Sequence, residues 1–191
     1  SGEDILVILF TSGTTGYPKG AKISHRAFIY RALYFVFEYN VDKKDTFPAW
    51  APMFHMASTD LSIGSLLIGG SVAIVEGFDP KLLMNLIKKY KLSWLVLMPG
   101  MLEEFINFID GKKIQVKGIK AMGAMADLIP KNQIKKITSL LNTPYLNSFG
   151  STETGMPPAS KGIIEKNKNN FSLSKVQSSF CEVKLVHNNK E

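Results

Sequence analysis

The feature that most constrains the fold is the regular alternation of short apolar runs with longer amphipathic segments. The short runs are typical of strands buried on both faces, and the longer segments repeat apolar residues at helical spacing. This alternation predicts an α/β fold, a mostly parallel β-sheet flanked by helices. The predicted strands are Ile5–Phe10, Ser71–Val75, Leu92–Leu97, Gly118–Met122, Tyr145–Phe149 and Phe180–Val186. The predicted helices run from a Ser24 cap to Phe37 and over Ser58–Ile68, Pro80–Lys89, Pro99–Ile109 and Pro130–Leu140, and a surface loop covers residues 157–178.

Composition excludes several classes of protein. The chain is 45% hydrophobic and 20% charged, which is typical of a globular domain and not of a disordered or fibrous chain. Its single cysteine cannot form an internal disulfide, and its three histidines are too far apart for metal-ligand spacing. The longest apolar stretch, Leu61–Val75, is too short to span a bilayer, and Ser1–Asp4 is acidic, unlike a secretory signal. We therefore expect a cytoplasmic protein with no transmembrane segment.

The net charge of +7 is unevenly distributed. Up to Gly111 there are 10 basic and 11 acidic residues, whereas from Lys112 onward there are 13 basic and 5 acidic residues. These lysines lack the aromatic interleaving and the arginine bias of nucleic-acid readers, so we expect no nucleic-acid partner. The main interpretation is a solvated lysine-rich surface, and a surface for an anionic ligand is the alternative.

The most specific motif is the loop Thr11–Gly20, TSGTTGYPKG, which follows the first predicted strand. Its glycines let backbone amides approach a ligand closely, its four hydroxyls add donors, and Lys19 supplies positive charge for phosphate. It is not a Walker A loop, because Pro18-Lys19-Gly20 stands where that motif requires Gly, Lys and Ser or Thr. Phosphate binding is the prediction, and a flexible connector is the alternative.

A second motif, Asn147–Gly155, also follows a predicted strand. Thr152 offers a hydroxyl to a phosphate oxygen, Glu153 offers a carboxylate to Mg²⁺, and Phe149 offers a flat ring for stacking a purine. The alternative is a simple turn in which Ser151 or Thr152 caps a helix.

Two further features are weaker when taken singly. His55 lies in the loop Pro52–Ser58, where its functional interpretation is to gate a pocket or to polarise a substrate. The alternative is a packed histidine with one satisfied hydrogen bond. Met122–Met125 follows a predicted strand at the edge where open α/β sheets bind ligands.

Taken in order, these segments resemble the motifs of the adenylate-forming superfamily, which includes acyl-CoA synthetases, luciferases and nonribosomal peptide synthetase adenylation domains. The TSGTTGxPKG pattern matches over all ten residues of Thr11–Gly20. Phe54-His55 stands at the aromatic-histidine motif of acyl-CoA synthetases, and Phe149–Glu153 is similar to the aromatic-Gly-x-Thr-Glu motif. Gly123-Ala124 falls at the adenine-contacting segment, although Met125-Ala126 stands where the usual proline follows.

The resemblance implies an acyl-CoA synthetase, which activates a carboxylic acid with ATP to an acyl-adenylate and then forms a thioester with coenzyme A. It implies three catalytic residues: Thr152 at the α-phosphate, Glu153 at Mg²⁺ and His55 at the carboxylate end of the acyl pocket. The implied nucleotide-binding residues, besides Thr152, are Thr11, Ser12, Gly13, Thr14, Thr15, Gly16 and Lys19 at the β- and γ-phosphates, and Gly123, Ala124 and Phe149 around adenine.

The resemblance also bears on the substrate. Amino-acid-activating relatives carry an aspartate at the position of His55, so a histidine there disfavours an amino-acid substrate. The methionines of Met53–Met56 and Met122–Met125 favour a hydrophobic acid, fatty or aryl. Two alternatives stay open: an adenylating enzyme that loads a carrier protein, and a non-catalytic nucleotide-binding module.

The resemblance covers nearly the whole chain but only part of the superfamily's domains. The ribose-binding aspartate, the hinge and the C-terminal domain with its catalytic lysine are not found within the 191 residues. We therefore expect residues 1–191 to be a partial AMP-binding domain that lacks the first N-terminal subdomain and the C-terminal domain. The isolated fragment is expected to be inactive.

Overall fold

The computed structural model describes residues 1–11, 16–156 and 158–186, and within these ranges the strands form three sheets. The strands are β1 (Ile5–Thr11), β2 (Lys19–Ser24), β3 (Thr46–Ala49), β4 (Ser71–Ile74), β5 (Leu92–Leu95), β6 (Ile119–Met122), β7 (Tyr145–Leu146) and β8 (Ile163–Ile164). The helices are α1 (His25–Tyr39), α2 (Met56–Leu67), α3 (Pro80–Lys89), α4 (Met101–Ile109) and α5 (Lys131–Leu141), and a 3₁₀ turn covers Ala126–Leu128. None of the helices in these ranges is long and apolar enough to cross a membrane.

The centre of the molecule is a parallel sheet with strand order β4-β3-β5-β6. Every residue of β3 and β5 is buried, as expected for strands covered on both faces. Trp94 and Leu95 of β5 pack in one large apolar core with Phe35 of α1 and Phe105 of α4. The predicted α/β class, a mostly parallel sheet flanked by helices, is confirmed.

A separate hairpin carries the start of the chain. Strands β1 and β2 pair antiparallel from Ile5 opposite Ser24 to Thr11 opposite Lys19. Leu9, Ile23 and Phe28 form a small apolar cluster between the hairpin and α1. The hairpin therefore brings both ends of the Thr11–Lys19 loop side by side and leads directly into α1.

Sequence patterns predicted most helices well and missed three strands, β2, β3 and β8. The Ser24 hydroxyl caps α1 by accepting from Ala27 N (3.3 Å), and the Asp79 carboxylate caps α3. Strand β2 contains Lys19, Gly20, Lys22 and Ser24 and so lacks an apolar run, and its first two residues fall in the predicted phosphate loop Thr11–Gly20. Strand β3 contains Pro48, which lacks a backbone N–H, and the β3–β5 pairing is made only at Thr46.

The C-terminal part of the described chain differs from prediction. Residues 181–186 form no strand, and Leu185 is 91% exposed, because no described strand lies beside this segment to supply hydrogen bonds. The predicted strand Phe180–Val186 is therefore wrong. The predicted surface loop 157–178 contains β8, which pairs antiparallel with β7, and it buries Ser160 and Ser178.

Candidate active site

A cleft of about 210 Å³ lies at the C-terminal ends of β5 and β6. Its walls come from segments 55–57, 94–98, 124–125 and 148–156, which belong to four different parts of the chain. Parallel α/β sheets bind ligands at this edge, because the loops that follow neighbouring strands meet there. The topology therefore brings the weak sequence signals together in one place.

Apart from the phosphate loop and Gly123, the predicted site residues fall into three groups. His55, Ala124 and Thr152 line the cleft. Glu153 lies next to a second cavity of about 540 Å³ between α1 and segment 180–184. Phe149 is 58% exposed and does not line the cleft in the described structure.

The phosphate loop is described only at its two ends. Ser12, Gly13, Thr14 and Thr15 lie outside the described residues, so their predicted role stays a prediction. Thr11 and Lys19 face each other at the end of the β1–β2 hairpin, and Gly16 has a φ of 94°. The pKa of Glu153 in the second motif is lowered first by its own backbone amide and then by the Ser151 hydroxyl, and the Lys19 charge is the last of the effects that lower it.

His55 is the N-cap of α2, which the sequence did not reveal. Its Nδ1 accepts a hydrogen bond from Ala57 N (3.1 Å), so helix α2 begins at Met56, before the predicted Ser58. Because Nδ1 is an acceptor, the neutral imidazole carries its proton on Nε2 and offers that N–H as a donor. The Ser58 hydroxyl is buried and donates to Ala51 O (2.7 Å), which holds the preceding loop against the helix.

Gly123 lies beneath the cleft rather than on its wall. Its N–H donates to Leu95 O (2.8 Å), and its carbonyl accepts from Trp94 Nε1 (2.8 Å). Its φ is 78°, and a Cβ atom on it would overlap the ring of Tyr145. The N–H and the C=O of Gly123 both form hydrogen bonds within the protein. The predicted contact of Gly123 with adenine stays a prediction.

Ala124 and Met125 form the part of this segment that reaches the cleft. The Tyr145 hydroxyl accepts from Ala124 N (3.2 Å) and donates to Ala124 O (2.9 Å), which fixes the backbone there. Met125 has a φ of 47°, a conformation that proline cannot adopt. The backbone is therefore incompatible with a proline at Met125.

The second motif forms a closed turn. Gly155 N donates to Ser151 O (2.8 Å), and Ser151 N donates to the Thr154 hydroxyl (3.1 Å). No helix follows this turn in the part of the chain that the structure describes, so the helix-cap alternative is wrong. The pKa of Glu153 is lowered, first by its own backbone amide and then by the Ser151 hydroxyl, so its exposed carboxylate is ionised at neutral pH.

Two charged side chains that the sequence did not single out hold this region. Arg31 is 5% exposed and donates to Asp60 and to the carbonyls of the Thr152–Glu153 turn. Lys175 donates to Asn147 Oδ1 (2.7 Å) and Ser148 O (3.1 Å) at the end of β7. The one sequence signal for Arg31 is its position inside the apolar run of α1, where an arginine is unexpected.

The stability of the protein is expected to depend on the protonation of Asp60. Burial raises the pKa of Asp60 to about 6, because desolvation outweighs the opposing effect of Arg31. An unfolded aspartate titrates near pH ~4, so the folded state binds an extra proton between about pH 4 and 6. The free energy of unfolding should therefore fall as pH rises through this window.

The measurement is denaturant unfolding across that window for wild type and Asp60→Asn. Asparagine cannot titrate, so the difference between the two pH profiles isolates the contribution of Asp60. Identical slopes for the two proteins would contradict the raised pKa.

Magnesium fits the donors present. Among the described residues, no three His, Cys, Asp or Glu side chains gather into a metal cage. Mg²⁺ commonly uses one or two carboxylates, several waters and substrate phosphates. Glu153, which follows Thr152 directly in the chain, offers one ionised carboxylate to that kind of site.

Comparison with known proteins agrees with this architecture. The family model described as AMP-binding enzyme matches residues 1–190, and the chain belongs to this family of adenylate-forming enzymes. The chain is 29% identical over 156 residues to the 2-succinylbenzoate–CoA ligase of Arabidopsis thaliana, covering 80% of this chain and 28% of that protein. It is 28% identical over 160 residues to gramicidin S synthase 2 of Brevibacillus brevis, covering 79% of this chain and 4% of that protein.

Solved structures show the same fold. The O-succinylbenzoate coenzyme A synthetase of Bacillus subtilis, in complex with ATP and magnesium ion, superposes with a TM-score of 0.72 at 18% identity, over 84% of this chain and 33% of that one. The N-terminal domain of a Mycobacterium tuberculosis protein, solved with an inhibitor, gives a TM-score of 0.69 at 25% identity, over 80% and 38%. The chain thus spans less than a third of the CoA ligase from Arabidopsis and about a third of these structures.

Proposed function

We propose that this chain is the nucleotide- and acyl-binding part of an AMP-forming acyl-CoA synthetase. The observation that carries the proposal is the cleft itself, where His55, Ala124 and Thr152 meet although they are far apart in sequence. Membership of the AMP-binding enzyme family supports the same reaction class. The relatives are much longer than this chain, so the complete activity is assigned to the full-length enzyme and residues 1–191 to a partial domain that is inactive alone.

The nucleotide side of the proposed site consists of the hairpin end and the second motif. The Thr11–Lys19 loop would bind the β- and γ-phosphates, Thr152 the α-phosphate, and Ala124 with Phe149 the adenine. Glu153 would hold Mg²⁺, which neutralises the charge that develops on the phosphates. The protein's own contribution is positioning and fixed positive charge, because phosphorus chemistry of this kind needs little else.

The acyl side is the remainder of the cleft. Met56, Met98, Met125 and Met156 line it together with Trp94 and Val96. Flexible methionines beside a buried indole suit an apolar group, so a hydrophobic acid, fatty or aryl, is the proposed substrate class. His55 at the cleft would donate its Nε2–H to the carboxylate and orient it towards the α-phosphorus.

The acceptor is proposed to be coenzyme A, as in the ligases that the chain resembles. One alternative acceptor is a carrier protein, and the similarity to gramicidin S synthase 2 is the reason to test it. A non-catalytic nucleotide-binding module is the second alternative. A cytoplasmic location is proposed as well, supported by an unpaired Cys181 as the only cysteine.

The experiment is ATP–pyrophosphate exchange by the full-length enzyme with acetate, medium and long fatty acids, benzoates and amino acids. Exchange with one hydrophobic class supports the proposal, and subsequent thioester formation with coenzyme A but not with a phosphopantetheinylated carrier identifies the acceptor. An enzyme that binds Mg-ATP but catalyses no exchange with any acid would contradict it.

Substitution of His55 separates its capping role from its proposed substrate role. His55→Asn keeps a good N-cap and should retain wild-type stability, whereas His55→Ala should lose about 1 kcal/mol. Both variants lack the imidazole donor to a charged carboxylate, so both should lose about tenfold or more in kcat/KM for the acid. Full activity of His55→Asn would show that the histidine is only a cap.

A further inference from the structure

The side chain of Arg31 links two helices to the second motif. Its Nη1 lies 3.1 Å from Asp60 Oδ2 and 3.4 Å from Oδ1. Its Nη2 donates to the carbonyl oxygens of Thr152 (3.1 Å) and Glu153 (2.7 Å). One guanidinium on α1 therefore contacts a carboxylate on α2 and two consecutive carbonyls of the turn.

The guanidinium donors of Arg31 are used by protein acceptors, and both members of the ion pair are buried. Arg31 is 5% exposed and Asp60 is 4% exposed. The carboxylate balances the guanidinium charge, so the pair contributes little net charge to the site. In the described structure Lys19, in contrast, is exposed and free to compensate phosphate charge.

The geometry of the turn depends on the two carbonyl contacts. In a trans peptide the C=O and the next N–H point in opposite directions. The bonds from Arg31 to the Thr152 and Glu153 carbonyls thus fix the peptide planes on both sides of the Glu153 Cα. The plane before Thr152 is fixed by the bond from Gly155 N to Ser151 O, so the directions in which both side chains leave the backbone are set.

Gly155 shows how closely the arginine is fitted to the turn. Its φ is 73°, and a Cβ atom there would lie 2.8 Å from Arg31 Nε and 2.9 Å from Cδ. The arginine stem occupies the space that any other residue would need for its side chain. The packing of Arg31 against the turn therefore requires glycine at position 155.

We propose that Arg31, held in place by Asp60, is a positioning residue that sets the orientation of Thr152 and Glu153 for the reaction. The inference rests on the proposed function and adds two residues to it, neither of which touches the substrate. It assigns a functional role to a buried ion pair that is otherwise only a structural feature.

The test compares Arg31→Met and Asp60→Leu with the double variant in the full-length enzyme. Either single change leaves a buried charge without its partner and should destabilise the protein strongly, whereas an apolar pair of similar volume often restores stability. The double variant should therefore unfold within a few degrees of wild type. A matched control is Arg26→Met, which removes an exposed arginine of the same helix from its ion pair with Glu3.

Two readouts distinguish positioning from stability. In the stable double variant, hydrogen exchange at the amides of Ser151 and Gly155 should accelerate about tenfold, because the turn loses its anchor. The kcat of pyrophosphate exchange should fall about a hundredfold, the cost of misplacing reacting groups by about an ångström. The KM for the carboxylic acid should change less than twofold, and Arg26→Met should match wild type in both readouts.

A stable double variant with wild-type turn protection, or with kcat within twofold of wild type, would overturn the inference. The proposed function fails separately, if the wild-type enzyme itself exchanges no pyrophosphate with any acid. In that case hydrogen exchange at the Ser151 and Gly155 amides of the double variant still tests the inference. Unchanged protection of these amides overturns the positioning role, and faster exchange supports the conclusion that Arg31 holds the turn.

Discussion

Replacing Glu153 by glutamine should lower the rate of ATP–pyrophosphate exchange in the full-length enzyme by about a hundredfold to a thousandfold, the usual cost of removing one electrostatic group from a phosphoryl or acyl-transfer site. Glu153 is exposed, and its lowered pKa shows that its surroundings favour the charged form. Glutamine keeps the shape and removes the charge that would hold Mg²⁺. The expected defect is therefore functional, with the fold unchanged.

The defect should also respond to magnesium. The variant should need a higher Mg²⁺ concentration for half-maximal exchange, since one hard oxygen ligand is weakened. Glu165→Gln is the matched control, an exposed glutamate near β8 that lies outside the cleft lining. Glu153→Gln with exchange rates and Mg²⁺ dependence within twofold of the control would contradict the assigned role.

Replacing Gly123 by alanine should cost about 3 kcal/mol or more in the free energy of unfolding, because overpacking and a positive φ each add their cost. The added methyl group would overlap the fully buried Tyr145 ring, so the ring or the backbone must shift within the packed core. The change should also displace Ala124 from the cleft, since Tyr145 fixes both of its backbone groups.

Gly111→Ala supplies the matched control for this prediction. Gly111 also has a positive φ, 70°, and nothing lies within 4 Å of the position its Cβ would take. Its expected loss is only the conformational cost of about 1–2 kcal/mol. The measurement is denaturant unfolding followed by tryptophan fluorescence, since Trp94 is hydrogen-bonded to Gly123. Equal losses for the two variants would show that the Tyr145 contact is unimportant.

The sequence was most informative where chemistry requires particular residues in a short segment. The Asn147–Gly155 motif and the loop at His55 could be recognised locally, and the parallel sheet then brings them to one edge. The predicted strands that form the sheet are apolar on both faces, which a short window of sequence reveals. The class of fold and most of the cleft were therefore predictable.

What could not be predicted depends on distant contacts. Arg31 is 29 residues from Asp60 and 121 from Thr152 along the chain, so no local pattern relates them. Gly123 matches a motif, but its tight fit under Tyr145 is visible only once β6 and β7 are placed together. The error at Phe180–Val186 has the same origin, because an apolar run becomes a strand only when another strand lies beside it.

The central claim, that a carboxylate attacks the α-phosphorus of ATP, is tested most directly by following oxygen-18 from a doubly labelled carboxylic acid in the full-length enzyme with ATP and coenzyme A. The attacking oxygen becomes bonded to phosphorus and stays there when the thiol displaces AMP. The account predicts AMP that carries one oxygen-18 atom, together with unlabelled pyrophosphate. Unlabelled AMP, or ADP with the label in orthophosphate, would contradict it.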